Sequence, residues 1–381
     1  MKHYTRTLSL FLFISFAFSQ TQLGSDIDGE AQGDYSGWSV SMNSAGDRVA
    51  IGAANNAGTG SNAGHVRIYE YSNSSWTQLG SDIDGEAQGD YSGTSVSMNS
   101  AGDRVAIGAE NNDGTASNAG HVRVYEYSNS SWTQLGSDID GEAQGDWSGN
   151  SVSMNSAGDR VAIGALFNGG TGTDAGHVRI YEYSNSSWTQ LGSDIDGEAA
   201  NDRSSYSVSM NSAGDRVAIG ARRNDGTASD AGHVRIYEYS NSSWTQLGSD
   251  IDGEAASDFS GNSVSMNSAG DRVAIGAPYN AGTGSNAGHV RIYEYSNSSW
   301  TQLGSDIDGE AASDFSGTSV SMNSAGDRVA IGATDNDGTA SDAGHVRIYE
   351  YSNSSWTQLG SDIDGEAQGD YSGTSVSMNS A

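Results

Sequence analysis

The sequence predicts an all-β propeller, and three observations carry the prediction. The chain repeats itself every 56 residues. Each period holds short stretches in which apolar and polar residues alternate. Between them lie turn-forming residues, with no room for a helix. Gly46-Asp47-Arg48-Val49-Ala50-Ile51-Gly52-Ala53 returns at Gly102, Gly158, Gly214, Gly270 and Gly326. Trp76, Trp132, Trp188, Trp244, Trp300 and Trp356 keep the same step. A fixed period of this length is the signature of a repeat architecture.

One repeat shows each element. Ser39-Val40-Ser41-Met42 alternates as a first strand, and Asn43-Ser44-Ala45-Gly46-Asp47 is turn chemistry in which Gly46 can take a positive φ. Arg48 to Ala53 reads as a second strand, with Val49 and Ile51 on one face. A loop rich in Asn and Gly, residues 54–64, leads to a third strand over residues 65–71. There Val66 and Ile68 face one way and Arg67, Tyr69 and Tyr71 the other. Ser72-Asn73-Ser74-Ser75 turns the chain into a fourth strand over residues 76–83. Apolar residues on both faces suit blades sandwiched between blades around an axis. An open β-solenoid is the alternative, but its coils are usually shorter than this period.

The residue count leads to an expected ring of seven blades. Six repeats use 336 of the 362 residues from Gln20 onward, and a seventh would need 30 more, the counterparts of residues 46–75. Residues 21–28 read as an orphan fourth strand and residues 373–381 as an orphan first strand. The expectation is a last blade closed by the N-terminal strand and incomplete, as though the chain were cut within it.

Composition narrows the function. The formal charge is −31, which disfavours nucleic acid and anionic membrane surfaces as partners. No cysteine is present, so neither disulfides nor thiol chemistry is available. Lys2, His3 and Arg6 precede an apolar run from Leu8 to Phe18, and Ala17-Phe18-Ser19 gives a small-x-small end. That pattern predicts a secretory signal over residues 1–19, and hence a secreted or cell-surface protein. It is too short to be a spanning helix, and no other run in the sequence could insert in a membrane.

These repeats resemble the FG-GAP family, the propeller type also found in integrin α subunits. Phe259-Ser260-Gly261-Asn262-Ser263-Val264 resembles the Phe-Gly half and Val273-Ala274-Ile275-Gly276-Ala277-Pro278 the Gly-Ala-Pro half. Only that repeat keeps the Pro. The likeness runs through the whole mature chain and implies an extracellular adhesion or ligand-binding scaffold, as on secreted or surface proteins of Gram-negative bacteria. Calcium-binding members carry an Asp-x-Asp-x-Asp-Gly loop between the first two strands. This chain has Asn43-Ser44-Ala45-Gly46-Asp47 there, so that metal site is not carried over.

Another acidic loop recurs. Asp82, Asp84, Glu86 and Asp90 stand at relative positions 1, 3, 5 and 9 and offer oxygens of the kind Ca²⁺ takes. The alternative at this loop is a turn at Asp84-Gly85 with solvated or capping carboxylates. His65 and Asp47 recur in every repeat, whereas catalysis needs one constellation at one place. No Gly-x-Ser-x-Gly, His-Glu-x-x-His or phosphate-binding glycine loop occurs, so a non-enzyme is expected.

The repeats differ mainly at two loops, expected to share one face. One varies through Leu166-Phe167, Arg222-Arg223 and Pro278-Tyr279, the other through Trp147, Arg203 and Tyr206. Loops on a rigid scaffold are where binding residues sit. The expected ligand-binding set is therefore Trp147, Leu166, Phe167, Arg203, Tyr206, Arg222, Arg223 and Tyr279. The expected function is non-catalytic recognition of an extracellular protein or glycan. Drift at tolerant exposed positions would give the same variation, and the alternative role is a passive spacer in a larger surface protein, stabilised by calcium or by packing alone.

Overall fold

In the computed structural model, which describes residues 20–381, each period becomes one antiparallel sheet, and six such blades are present. The expected signal over residues 1–19 lies outside the described residues. Blade 1 runs β1 (Ser36–Met42), β2 (Arg48–Ala53), β3 (His65–Ser72), β4 (Ser75–Gln78) and β5 (Ile83–Asp84). The expected fourth strand is thus two short pieces, β4 and β5, both paired to β3 in one edge row. No helix among the described residues is long and apolar enough to cross a membrane.

Local chemistry sets the turns. Asn43 Oδ1 accepts the N–H groups of Asp47 and Arg48 at 3.1 and 3.0 Å, and Gly46 takes φ +75°. Asn73 and Ser74 hold φ of 50° and 65°, both positive, as a two-residue hairpin with the right twist requires. A bulge between Ser36 and Ser39 interrupts the β1–β2 register, and bulges re-aim a side chain.

The core lies between blades. Ala50, Val66, Ile68 and Ile83 of blade 1 pack on Val96, Met98, Val105 and Ile107 of blade 2. Equivalent clusters fill the gaps down to blade 6. Polar staples join the same neighbours: Trp132 Nε1 donates to Leu79 O at 2.8 Å and Met98 N to Ser41 Oγ at 2.9 Å. The inner backbones meet so closely that a Cβ on Gly108 would lie 2.0 Å from Gly149 O of the next blade. Gly108→Ala is therefore expected to cost about 3 kcal/mol or more by overpacking, read as a lowered urea midpoint with an unchanged slope.

The blade count corrects the sequence reading: six blades form, where seven with an incomplete last one were expected. Residues 20–28 and 373–381 contain no strand. The physical reason is that the two central rows that would pair an inner strand to an outer one are lacking between them. The C-terminal segment nevertheless sits against β1. Ser377 Oγ accepts from Met42 N at 2.9 Å, the bond Ser41 makes to Met98, and Ser380 N donates to Ser44 O at 3.1 Å. Met378 joins the six repeat methionines around an axial channel of about 130 Å³. The seam beside this segment is open: Ile363 is 41% exposed where its counterpart Ile83 is 5% exposed.

Candidate functional site

Two layers of side chains face the ends of the blades on the variable-loop side, one invariant and one variable. The invariant layer begins at His65, the first residue of β3, which pairs in register with Asp84 of β5. Its imidazole is buried, and its counterparts are placed alike. In blade 2, His121 Nδ1 lies 3.9 Å from Glu86 Oε2 and 4.0 Å from Asp138 Oδ2. Glu86 comes from the preceding repeat and Asp138 from the same one, so each triad straddles a blade junction. Two residues on, Arg123 donates to Asp84 O at 2.7 Å, approaches Glu86 Oε1 at 3.6 Å and lies over the Tyr125 ring at 5.5 Å. Burial pushes His121 and His233 down to about 4, helped by the neighbouring arginines, while Asp138 and Asp250 pull the other way. These imidazoles are neutral at pH 7.

The acidic loop therefore does not act as one unit. Asp82 belongs with His65 and Glu30, Glu86 with His121 and Asp138. Asp90 Oδ2 accepts the Ala87 N–H at 2.9 Å and Asn112 Nδ2 at 3.1 Å, and so caps its own turn. Asp84 sits in β5 opposite His65. The four residues occur at one loop in sequence but serve separate environments in space. The roles of His and Arg were missed; the available signal was the fixed spacing of Glu86 before His121, repeated in every period.

The variable layer gathers most of its expected residues. Trp147 meets Phe167 edge-to-face with centroids 4.7 Å apart, and the Arg203 guanidinium lies 5.0 Å from the Phe167 ring. Arg222 stacks on Tyr206 at 3.7 Å, and Arg222 and Arg223 approach Phe259 at 6.0 and 5.8 Å. Tyr279 bridges Phe259 and Phe315 at 5.0 and 5.1 Å. The result is an arc of alternating aromatic rings and guanidinium groups. Leu166 departs from expectation: it is 3% exposed and buried with the core, leaving the half-buried Phe167 as that loop's contribution to the arc. Phe259 and Phe315 join the arc from the same variable position as Trp147.

That position is strained. Trp147, Arg203, Phe259 and Phe315 hold φ of 56°, 52°, 53° and 53°, the left-handed region that L side chains avoid. The arginines crowd one another: Arg223 and Arg222 both lower the Arg203 pKa, after burial. The Nε atoms of Arg203, Arg222 and Arg223 are buried without a hydrogen-bond partner. A cavity of about 600 Å³ beside the arc is lined by Phe259 and Tyr279 and also by Glu254, His289 and Asp306.

The fold and this site define a β-propeller scaffold with a diversified loop face. No known protein family matches the chain, and no curated protein does. Solved structures do. A candidate 6-phosphogluconolactonase from Bacteroides uniformis aligns with TM-score 0.59 and 9% identity, over 86% of this chain and 85% of that one. A second, from Bacteroides fragilis, gives 0.56 and 11% over 86% and 84%. Kuenenia stuttgartiensis hydrazine synthase gives 0.54 and 13% over 87% and 80%. Identities this low carry the propeller fold alone.

Proposed function

We propose that the chain is a non-catalytic extracellular recognition module, of FG-GAP-like repeats, that binds an acidic glycan along the arc from Trp147 to Phe315. The observation that carries the reading is the trio of orphaned Nε atoms on Arg203, Arg222 and Arg223. Buried donors are nearly always paired, and three unpaired donors on mutually repelling cations call for an anionic acceptor. The aromatic rings between them offer flat apolar faces beside those cations. On a chain of net charge −31 this is a local positive spot, which favours a ligand whose anionic groups are discrete.

Titration calorimetry against a uronic-acid polysaccharide and its neutral analogue tests the reading. Preference for the acidic chain is expected, with Arg222→Ala/Arg223→Ala weakening it at least tenfold at an unchanged melting temperature. Equal affinity for the two polysaccharides, or an unaffected double variant, would overturn it. Because the arginines would also attract a phosphate, the lactonase activity for which the two Bacteroides neighbours are named is the second reading, and turnover of 6-phosphogluconolactone by this chain would replace the first. A passive spacer predicts that no substitution on the arc changes any attachment.

Secretion through residues 1–19 fits this role. We further infer that the ring has seven-fold geometry, the seam being a seventh blade position occupied only by its inner and outer segments. Met378 on the axis and the Trp76 Nε1 bond to Leu23 O, at 2.8 Å, support this.

A further inference from the structure

We propose that Glu254, His289 and Asp306 form a site for a divalent transition metal of the zinc, cobalt and nickel class, open to the cavity beside the arc, and that the equivalent triads repeat it around the ring. His289 Nδ1 stands 3.9 Å from Glu254 Oε2 and 3.8 Å from Asp306 Oδ2. These separations exceed a hydrogen bond, so the three groups surround a space instead of touching. Metal bonds of about 2.0–2.2 Å place tetrahedral donors roughly 3.3–3.6 Å apart, so closing on an ion needs only small side-chain movement.

A cluster of carboxylates would carry little by itself. Here the third member is an imidazole that is 98% buried. In blade 6 the equivalent His345 has neither ring nitrogen in a hydrogen bond, and its Nδ1 lies 3.9 Å from Asp362 Oδ2. A buried, unpaired imidazole aimed at carboxylates is a costly arrangement unless something stands between them. Burial, followed by the Arg291 charge, lowers the His289 pKa and keeps the ring in the neutral form that ligates.

The donor set selects the ion. One nitrogen and two carboxylate oxygens suit borderline metals, whereas Ca²⁺ seeks six to eight oxygens. Arg291 Nη1 holds the other oxygen of Glu254 at 3.4 Å, orienting the ligand in the manner of outer-shell partners. Three protein donors leave one or more positions toward the cavity that Phe259 and Tyr279 also line. A carboxylate of a ligand lying on the arc could take that position. The metal site itself stands whether or not the glycan reading does.

Cobalt is the probe. Chelator-stripped full-length chain is titrated with Co²⁺, following the visible d–d absorption and the bound stoichiometry by calorimetry. About five or six bound ions are expected, one for each triad, five of which are Glu30-His65-Asp82 and its counterparts in blades 2 to 5. Asp306→Asn and Glu254→Gln, which preserve shape, are each expected to remove one equivalent without changing the far-ultraviolet circular dichroism. Absence of the d–d band at millimolar Co²⁺ would overturn the proposal. So would a stoichiometry that neither variant lowers, since that is adventitious binding to surface carboxylates. Thermal melts of both variants in chelator separate a folding defect from a lost ligand.

Discussion

Adding a copy of residues 46–75 directly after Ala381 is expected to raise the melting temperature by roughly 5–10 °C. The added segment would carry the second and third strands that the seam lacks. It would pair with residues 373–381 on its inner side and residues 20–22 on its outer side, as β2 and β3 pair with β1 and β4. One face of the new hairpin would cover Ile363 and the half-buried Val346 and Ile348 of blade 6, whose counterparts Ile83, Val66 and Ile68 are buried. The other would cover the previous-blade face of β2 and β3. Buried apolar area at about 25 cal/mol per Å² is offset by the entropy of ordering the segment, so the net effect is a fraction of the gross gain. Repeat arrays draw their stability from such neighbour interfaces, and closing the ring adds two at once. A scrambled segment of the same composition is the control. Equal melting temperatures for the two extensions would refute the seven-fold reading of the seam.

Much of this architecture was legible because the repeat displays its own alternation six times. β2 was located to the residue, from the run Arg48 to Ala53, and β3 to within one residue. Its faces followed from period two alone: Val66 and Ile68 do pack toward the next blade. Other features depend on which repeat meets which. The spacing of Asp82 and Glu86 suggested one shared ion, but successive carboxylates along that loop reach toward different blades. Nothing in the text of a repeat says where a blade junction falls. Leu166 failed for a related reason: a variable position adjoining a strand can vary by repacking inward as well as by facing solvent. Trp147, Arg203 and Tyr206 lie in one arc because variation there is confined to a strained, bulged corner of each blade. The seventh blade was inferred from counting residues, whereas pairing needs continuous central rows and six sheets resulted.

Acidification in the presence of chelator is expected to unfold the ring between pH 6.5 and 4, well before the bulk of its carboxylates titrate. The cause is the row of buried imidazoles. His121 and His233 titrate at about 4 when folded, against about 6.5 in an unfolded chain. Between those values the unfolded state binds more protons, so stability rises with pH; the contribution is complete above 6.5 and is lost as the pH falls toward 4. These two residues alone represent on the order of 7 kcal/mol across the window. His177, His289 and His345 shift the same way, burial again being the first cause. Some carboxylates oppose them. Asp140, Asp252 and Glu198 are raised by burial, so the folded state holds their protons more tightly and gains as pH falls through their range. That range begins at the ordinary carboxylate values and extends upward, so it overlaps the lower part of the histidine window and offsets part of the loss there. Thermal melts from pH 7.5 to 4.5 should show the midpoint falling by about 10 °C or more, with the steepest part below 6.5. His121→Gln/His233→Gln should flatten the profile even if it lowers the midpoint at pH 7.5. A midpoint that is constant down to pH 4.5, or a profile the double variant leaves as steep, would show that the imidazoles are reached by protons at no cost to the fold.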